Sequence, residues 1–245
     1  MSYARNLPTY NADGSGTSNP NRKGSHDEAY VLSLGGAKGQ SIYADEGSYF
    51  VTYNVTDGTG IAGHAAPVQA DLSTKPLLHI YNGNTPASGK SIIIDFIRLR
   101  MTAIGAGAST TDFTTWIDQN GATSKTSGGT VATAVNCRSD QPNTAGAVVT
   151  FGAVVGAVGT GEKRTDHQRV RSVVAVVEDQ YVFQFGAGGY AMPAAMALTG
   201  TAVVSAHVHM APAVILPGGN FKLVQWGASQ SGAHSFEYTV GWTER

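Results

Sequence analysis

Charge and cysteine are what this chain has least of. Only 13% of its 245 residues are Asp, Glu, Lys or Arg, about half the usual share. The 16 Lys and Arg are balanced by 17 Asp and Glu for a net charge of -1, so no cationic excess exists to neutralise phosphates. That argues against nucleic acid or an anionic membrane as a partner. A single cysteine, Cys137, excludes an internal disulfide and a cysteine-based metal cluster. No apolar run approaches the ~18 residues of a membrane-spanning helix. The segment Met1-Ser-Tyr-Ala-Arg-Asn-Leu-Pro8 has no apolar stretch of signal-peptide type, so synthesis in the cytoplasm is expected. Nothing long reads as helix, and the lack of an internal repeat disfavours a propeller or β-helix.

What is present is small residues and strand patterns. Gly numbers 31, and a neutral, small-residue surface permits close packing on neighbours. Residues 1–27 are rich in Asn, Gly, Ser, Asp and Pro with sparse apolar residues, which predicts an extended N-terminal arm held by a neighbouring subunit rather than a domain. From Glu28 onward, strand patterns bounded by turn residues fall at 28–34, 41–55, 77–82, 91–104, 112–118, 130–138, 147–155, 168–177, 181–186, 201–210, 213–216, 221–227 and 235–243. Asp57-Gly58, Asn82-Gly83 and Asn120-Gly121 are tight-turn dipeptides. Many short strands at this spacing predict an all-β domain over 28–245, a jelly-roll-like antiparallel sandwich. Ile92–Ile94 and Val173–Val177 are apolar on both strand faces, as in strands central to a core or covered by a partner. Cys137 alternates with Val131, Thr133 and Val135, which predicts a buried strand position rather than a reactive thiol.

The most informative stretch is 213–245. It reads as a Pro217-Gly-Gly219 turn and two strands. In the second, Phe236, Tyr238, Val240 and Trp242 alternate with Glu237, Thr239, Gly241 and Thr243, the period of a strand with one buried face. Trp242 is thereby placed in the core, and Trp226 in the core or an interface. This ending, with Val135-Asn-Cys-Arg-Ser139 and the Arg-rich strand near 169–177, resembles jelly-roll-type structural virion proteins of tailed bacteriophages. The resemblance spans 130–245. It implies a non-enzymatic role on a particle, first as a capsid decoration or cement protein contacting the major capsid protein. The alternative is a tail or head-fibre component that binds host glycan. A homo-oligomer is expected, with a trimer as first choice.

Three constellations invite a chemical reading. Gly83-Asn-Thr-Pro-Ala-Ser-Gly-Lys-Ser91 approximates a phosphate-binding loop, yet five residues stand where the motif needs four. A β-branched strand follows where a helix should open, so a hairpin loop is expected. His207 and His209, two apart on a strand, point to one face and could share a metal, with His64, His79, His167 or His234 to complete a site from elsewhere. A cupin-type site would add a carboxylate a few residues on, and Met210-Ala-Pro-Ala-Val-Ile-Leu216 supplies none. A polar face or intersubunit contact is preferred, with a cupin-like metalloprotein the most distant alternative, and no cofactor is expected. The third set is basic. Arg98 with Arg100, and Arg169 with Arg171, each share a strand face and suit contacts to carboxylates across an interface. No Gly-x-Ser-x-Gly or His-Glu-x-x-His motif occurs, and Asp95, Asp112, Asp118 and Glu178 are carboxylates without a reason to pair.

Overall fold

The structure is a computed structural model, and it describes residues 39–54, 56–71, 73–119, 125–186 and 203–245. The arm at 1–27, the strand expected at 28–34 and the Asn120-Gly121 turn lie outside those residues. The chain divides into a unit at Met1–Gly47 and a larger one at Ser48–Arg245. In the first, helix α1 (Gly39–Asp45) replaces the start of the strand expected at 41–55. Gly47, at φ +70°, stops it by donating its N–H to the Ala44 carbonyl, the left-handed glycine that commonly ends helices.

The larger unit begins with strand β1 (Tyr49–Tyr53) and the short β2 (Ile61–Ala62), followed by β3 (Leu78–Asn82), β4 (Ile92–Ala103) and β5 (Thr111–Asp118). Then come β6 (Lys125–Ala132), β7 (Ala134–Asn136), β8 (Ala147–Gly156), β9 (Lys163–Arg171) and β10 (Gln180–Phe185). The last are β11 (Ser205–Met210), β12 (Val214–Ile215), β13 (Asn220–Trp226) and β14 (Ser235–Glu244). One sheet has the order β11-β10-β4-β14-β1-β7, with β12 on β4 and β2 on β14, and the other has the order β6-β8-β3-β13-β5-β9. All pairings are antiparallel except that of β10 with β11.

Eight of these strands, β1, β3, β4, β5, β9, β10, β13 and β14, form the centre. Counted first to eighth, they are ordered 1-8-3-6 in one sheet and 2-7-4-5 in the other, the jelly-roll arrangement in which successive strands, save the fourth and fifth, cross between sheets. The chain is thus an all-β sandwich. Additions lie at its ends. Residues 125–156 extend both sheets, β6 and β8 beside β3 and β7 beside β1, while β11 lengthens the other end of the first sheet.

The core follows the alternation. Phe50, Ile97, Leu99, Phe236, Tyr238, Val240 and Trp242 point inward from the first sheet and Leu78, Ile80, Phe113, Val149, Phe151, Phe221 and Leu223 from the second, all buried. Aromatic pairs bridge the layers: Phe151 stacks on Tyr238 at 4.5 Å, and Phe113 meets Phe183 edge-on at 4.9 Å. Burying each side chain of this size contributes roughly 1.5–3 kcal/mol. Trp242 is fully buried, as its alternation predicts; it lies beside Phe50 and donates its indole N–H to Glu244. The Glu244 carboxylate also accepts from the backbone of Gly146 and Ala147, fastening β14 to the start of β8 across the two sheets.

Several expectations are corrected. Residues 172–179 form turns rather than the second half of a strand, so Val173–Val177 is no two-sided core strand; Ala175 is buried, while Val174 and Val177 are exposed. Cys137, Val131 and Val135 alternate as expected, but on the outward face, and all three are exposed. Desolvation nevertheless pushes the Cys137 thiol pKa up, which disfavours the thiolate. The segment 83–91 is a loop, as its sequence predicts, yet it joins β3 of one sheet to β4 of the other and closes no hairpin.

Candidate functional site

The outer face of the first sheet gathers residues from five neighbouring strands. Cross-strand register sets Tyr53, Thr239, Arg98, Val182 and His207 in one row. The next row holds Glu237, Arg100, Gln180 and Ser205. Directly opposed residues point to one side of a sheet, so both rows face outward together. Against them packs the turn Thr56-Asp57-Gly58-Thr59, closed by the Thr59 N–H on the Thr56 carbonyl. Gly58 has φ +77°, the left-handed value that makes glycine the natural third residue of such a turn. Its N–H donates to Glu237 Oε1. Asn54 anchors the approach to the turn, donating to the Thr59 carbonyl and accepting the Tyr238 N–H.

Turn and sheet enclose a cleft of about 350 Å³ lined by Tyr53, Asn54, Asp57, Arg98, Arg100, Gln180, Glu237, Tyr238 and Thr239. Arg100 lies clasped between two carboxylates, its Nε 2.7 Å from Glu237 and its Nη1 2.8 Å from Glu178. The Arg100 hydrogen bond, with help from the Gly58 N–H, holds the Glu237 carboxyl below its ordinary pKa. Glu178 holds φ +78°, a strained value for a non-glycine residue, and this conformation presents its carboxylate to Arg100. Arg98 is more open, donating to Thr239 Oγ1 at 3.1 Å. Tyr53 is 51% exposed. The site therefore offers a fixed set of donors and acceptors beside an aromatic ring, suited to binding.

The sequence-predicted residues are distributed unevenly over this face. Arg98 and Arg100 share it, as alternation predicts, and line the cleft. His207 and His209 share it too, on β11, with His207 exposed and His209 half-buried. No group of three His, Cys, Asp or Glu side chains able to hold a metal is assembled among the described residues. Arg169 and Arg171 part company. Thr111 pairs with Arg171 and Asp112 with Arg169, so Val170 is an extra residue in β9, and a bulge of this kind reverses the alternation. Arg169 points outward to Asp112 at 2.9 Å. Arg171 points inward, 1% exposed, to Asp179 at 3.2 Å, and this corrects its expected place at an interface. Trp226 is half-buried on the outer face of the second sheet, opposite Asp112.

Two further polar groups sit on that second outer face, and both are closed. Thr114 Oγ1 lies 2.9 Å from His167 Nδ1, and His167 Nε2 lies 3.7 Å from Asp112. The order is that of a nucleophile, base and acid, but Thr114 is fully buried and no substrate reaches its hydroxyl. Lys222, also fully buried, donates to the carbonyls of Ser73 and Ala157 and to Glu162 at 2.6 Å. The four carboxylates named in the sequence do not converge. Asp112 and Asp118 are six residues apart on one strand, about 20 Å, whereas Asp95 bonds the Tyr49 hydroxyl and Glu178 bonds Arg100 on the other sheet. Paired glycosidase carboxylates stand about 5–9.5 Å apart.

Tyr53, Gln180 and Glu237 were not singled out by the sequence. Each occupies an ordinary outward strand position, and only the strand order brings them together. The Asp57-Gly58 turn signal was present, without any indication that its turn folds onto Glu237. Comparison with protein-family models, with curated proteins and with solved structures finds no match to the chain.

Proposed function

We propose that this chain is a non-enzymatic structural protein of a tailed-bacteriophage virion, a decoration or cement protein that stabilises the head through contacts between subunits and with the major capsid protein. The observation that carries the reading is the set of apolar side chains left in solvent where residues 125–156 extend the sandwich. Val131, Val135, Val148 and Val155 are each 41–58% exposed there, the first two on β6 and β7, strands that bury little of their own, and the last two on the outward side of β8. Exposed apolar side chains on these added strands are surface available to another protein, and a homo-oligomer, a trimer first, would cover some of them. Support also comes from the strand order, from the low surface charge, and from the closed state of the catalytic-looking clusters. The segments that carry the virion-protein resemblance form the central strands β13 and β14, the end of β9 with the turns after it, and the added strand β7.

A second reading, a head-fibre or tail component that binds host glycan, is favoured by the cleft. Copy number on purified virions separates the two. Hundreds of copies, with Val131→Asp and Val155→Asp weakening attachment, support the decoration role. A few copies per particle point to a fibre, and absence from the particle overturns both.

A further inference from the structure

The geometry points to the cleft between the 56–59 turn and the β1-β14-β4-β10 face as a binding site for a neutral sugar ring, with Tyr53 as stacking platform. The inference deepens the glycan reading above and rests on it only for the source of the ligand.

Its volume, about 350 Å³, falls at the small end of the ~300–1,000 Å³ typical of ligand sites, which suits one or two sugar rings. The lining charges cancel. Arg98 and Arg100 supply two positive charges, and Asp57 and Glu237 two negative ones, so an anionic ligand gains from one pair what it loses to the other. A neutral ligand rich in hydroxyl groups meets no such penalty, because each hydroxyl both donates and accepts. Carboxylate and guanidinium groups are planar and two-pronged, and they match adjacent hydroxyls on a pyranose ring. Tyr53, half in solvent, gives the apolar face that the C–H side of such a ring covers.

The polar groups are also held in place before any ligand arrives. Glu237 is fixed by Arg100 and the Gly58 N–H, and Arg100 is fixed from its far side by Glu178. Arg98 is bonded to Thr239 Oγ1, and a guanidinium carries five N–H groups, so donors remain for a ligand. Pre-organisation of this kind lowers the cost of binding.

The test is saturation-transfer NMR on the full chain with the methyl glycosides of glucose, galactose, mannose and N-acetylglucosamine, and with N-acetylneuraminic acid as the acidic comparison. At least one neutral glycoside is expected to bind. Tyr53→Ala and Arg98→Ala should each weaken it by about tenfold or more while leaving the thermal unfolding midpoint in place, and Arg169→Ala on the opposite sheet should have no effect. If either variant unfolds, Gln180→Ala provides the same readout from β10. The proposal is overturned if no neutral glycoside binds, if the acidic sugar binds tighter than every neutral one, or if binding survives these substitutions. Head copies in the hundreds together with sugar binding would uphold it and remove the fibre location. Few copies without sugar binding would remove it and leave that location standing.

Discussion

The two outer faces of this sandwich are built from the same kind of residue and end in opposite states. On the first sheet Arg98, Arg100, Glu237 and Tyr53 reach solvent around a cleft. On the second, His79, Asp112, Thr114, Asp118, Asn220 and Lys222 alternate just as regularly with core residues, yet every one is buried. The difference is a cover. Ser73 and Ala157 present carbonyls to the Lys222 ammonium, Glu162 presents a carboxylate, and Gly159 lies so close to Asp118 that a β-carbon there would stand 1.4 Å from its carboxylate. A polar residue on the outward side of a strand therefore says nothing about water until the loops above it are known. Equal chemistry has unequal worth on the two faces: exposed ion pairs contribute about 0–1 kcal/mol, whereas breaking a buried pair costs roughly 3–5 kcal/mol.

The sharpest way to break the comparison is to remove one cation from each face. Lys222→Ala should lower stability by roughly 3–5 kcal/mol, because the Glu162 carboxylate, itself nearly buried, is stranded without its partner. Arg100→Ala, between carboxylates that water can solvate, should cost no more than about 1 kcal/mol. Urea unfolding of both variants measures the contrast, and equal losses would erase it.

Acid supplies the next test. Burial, with Lys222 and Lys125 nearby, lowers the His79 pKa from 6.5 to about 3, and burial lowers that of His234 to about 4. Both imidazoles are neutral in the folded protein while the unfolded chain takes up protons below 6.5, so stability is fully present above that value and falls as the pH drops toward the folded pKa values. A tenfold difference in proton affinity between the folded and unfolded chain corresponds to about 1.4 kcal/mol. Unfolding measured across this range should show the decline, and His79→Gln should flatten it.

Two glycines give a finer comparison. At Gly241, on the open face, an added β-carbon would stand 2.4 Å from the Phe96 ring and 2.7 Å from the Tyr49 hydroxyl; the Phe96 ring is partly exposed and can give way, whereas Tyr49 is buried and bonded to Asp95. Gly159→Ala should cost about 1–3 kcal/mol and Gly241→Ala the lower end of that range, read from thermal midpoints. Smallest of all, Arg98→Ala should change stability by less than about 0.5 kcal/mol, which leaves any loss of sugar binding attributable to the site.

Much of the frame was legible. Alternation through 235–243 placed Trp242 inside, and turn residues marked most strand ends, because both signals are local. What escaped notice depends on pairing partners. The extra residue Val170 turns Arg171 inward, and no property of Arg169-Val-Arg171 announces it, since a bulge is defined by the partner strand. Cys137, Val131 and Val135 showed the right period and the wrong face, because these strands extend the sandwich past the layer that would cover them. The cleft was half visible: Arg98, Arg100 and the Asp57-Gly58 turn stood out as types, while Tyr53, Gln180 and Glu237 acquire meaning only from strand order.

The strand order has a kinetic side as well. Tyr49 pairs with Thr243 and Tyr53 with Thr239, so β1 cannot meet β14 until all the residues between them have been made. Contacts this distant in sequence are slow to form, because the loop between them must close before any pairing rewards it. Until β14 arrives, β1 and β4 each present an unpaired edge, the kind of template on which chains join one another. A nascent copy crowded among others is thus most prone to mispairing just before the ten residues of β14 emerge, and its yield in soluble form should depend on how fast that strand is delivered.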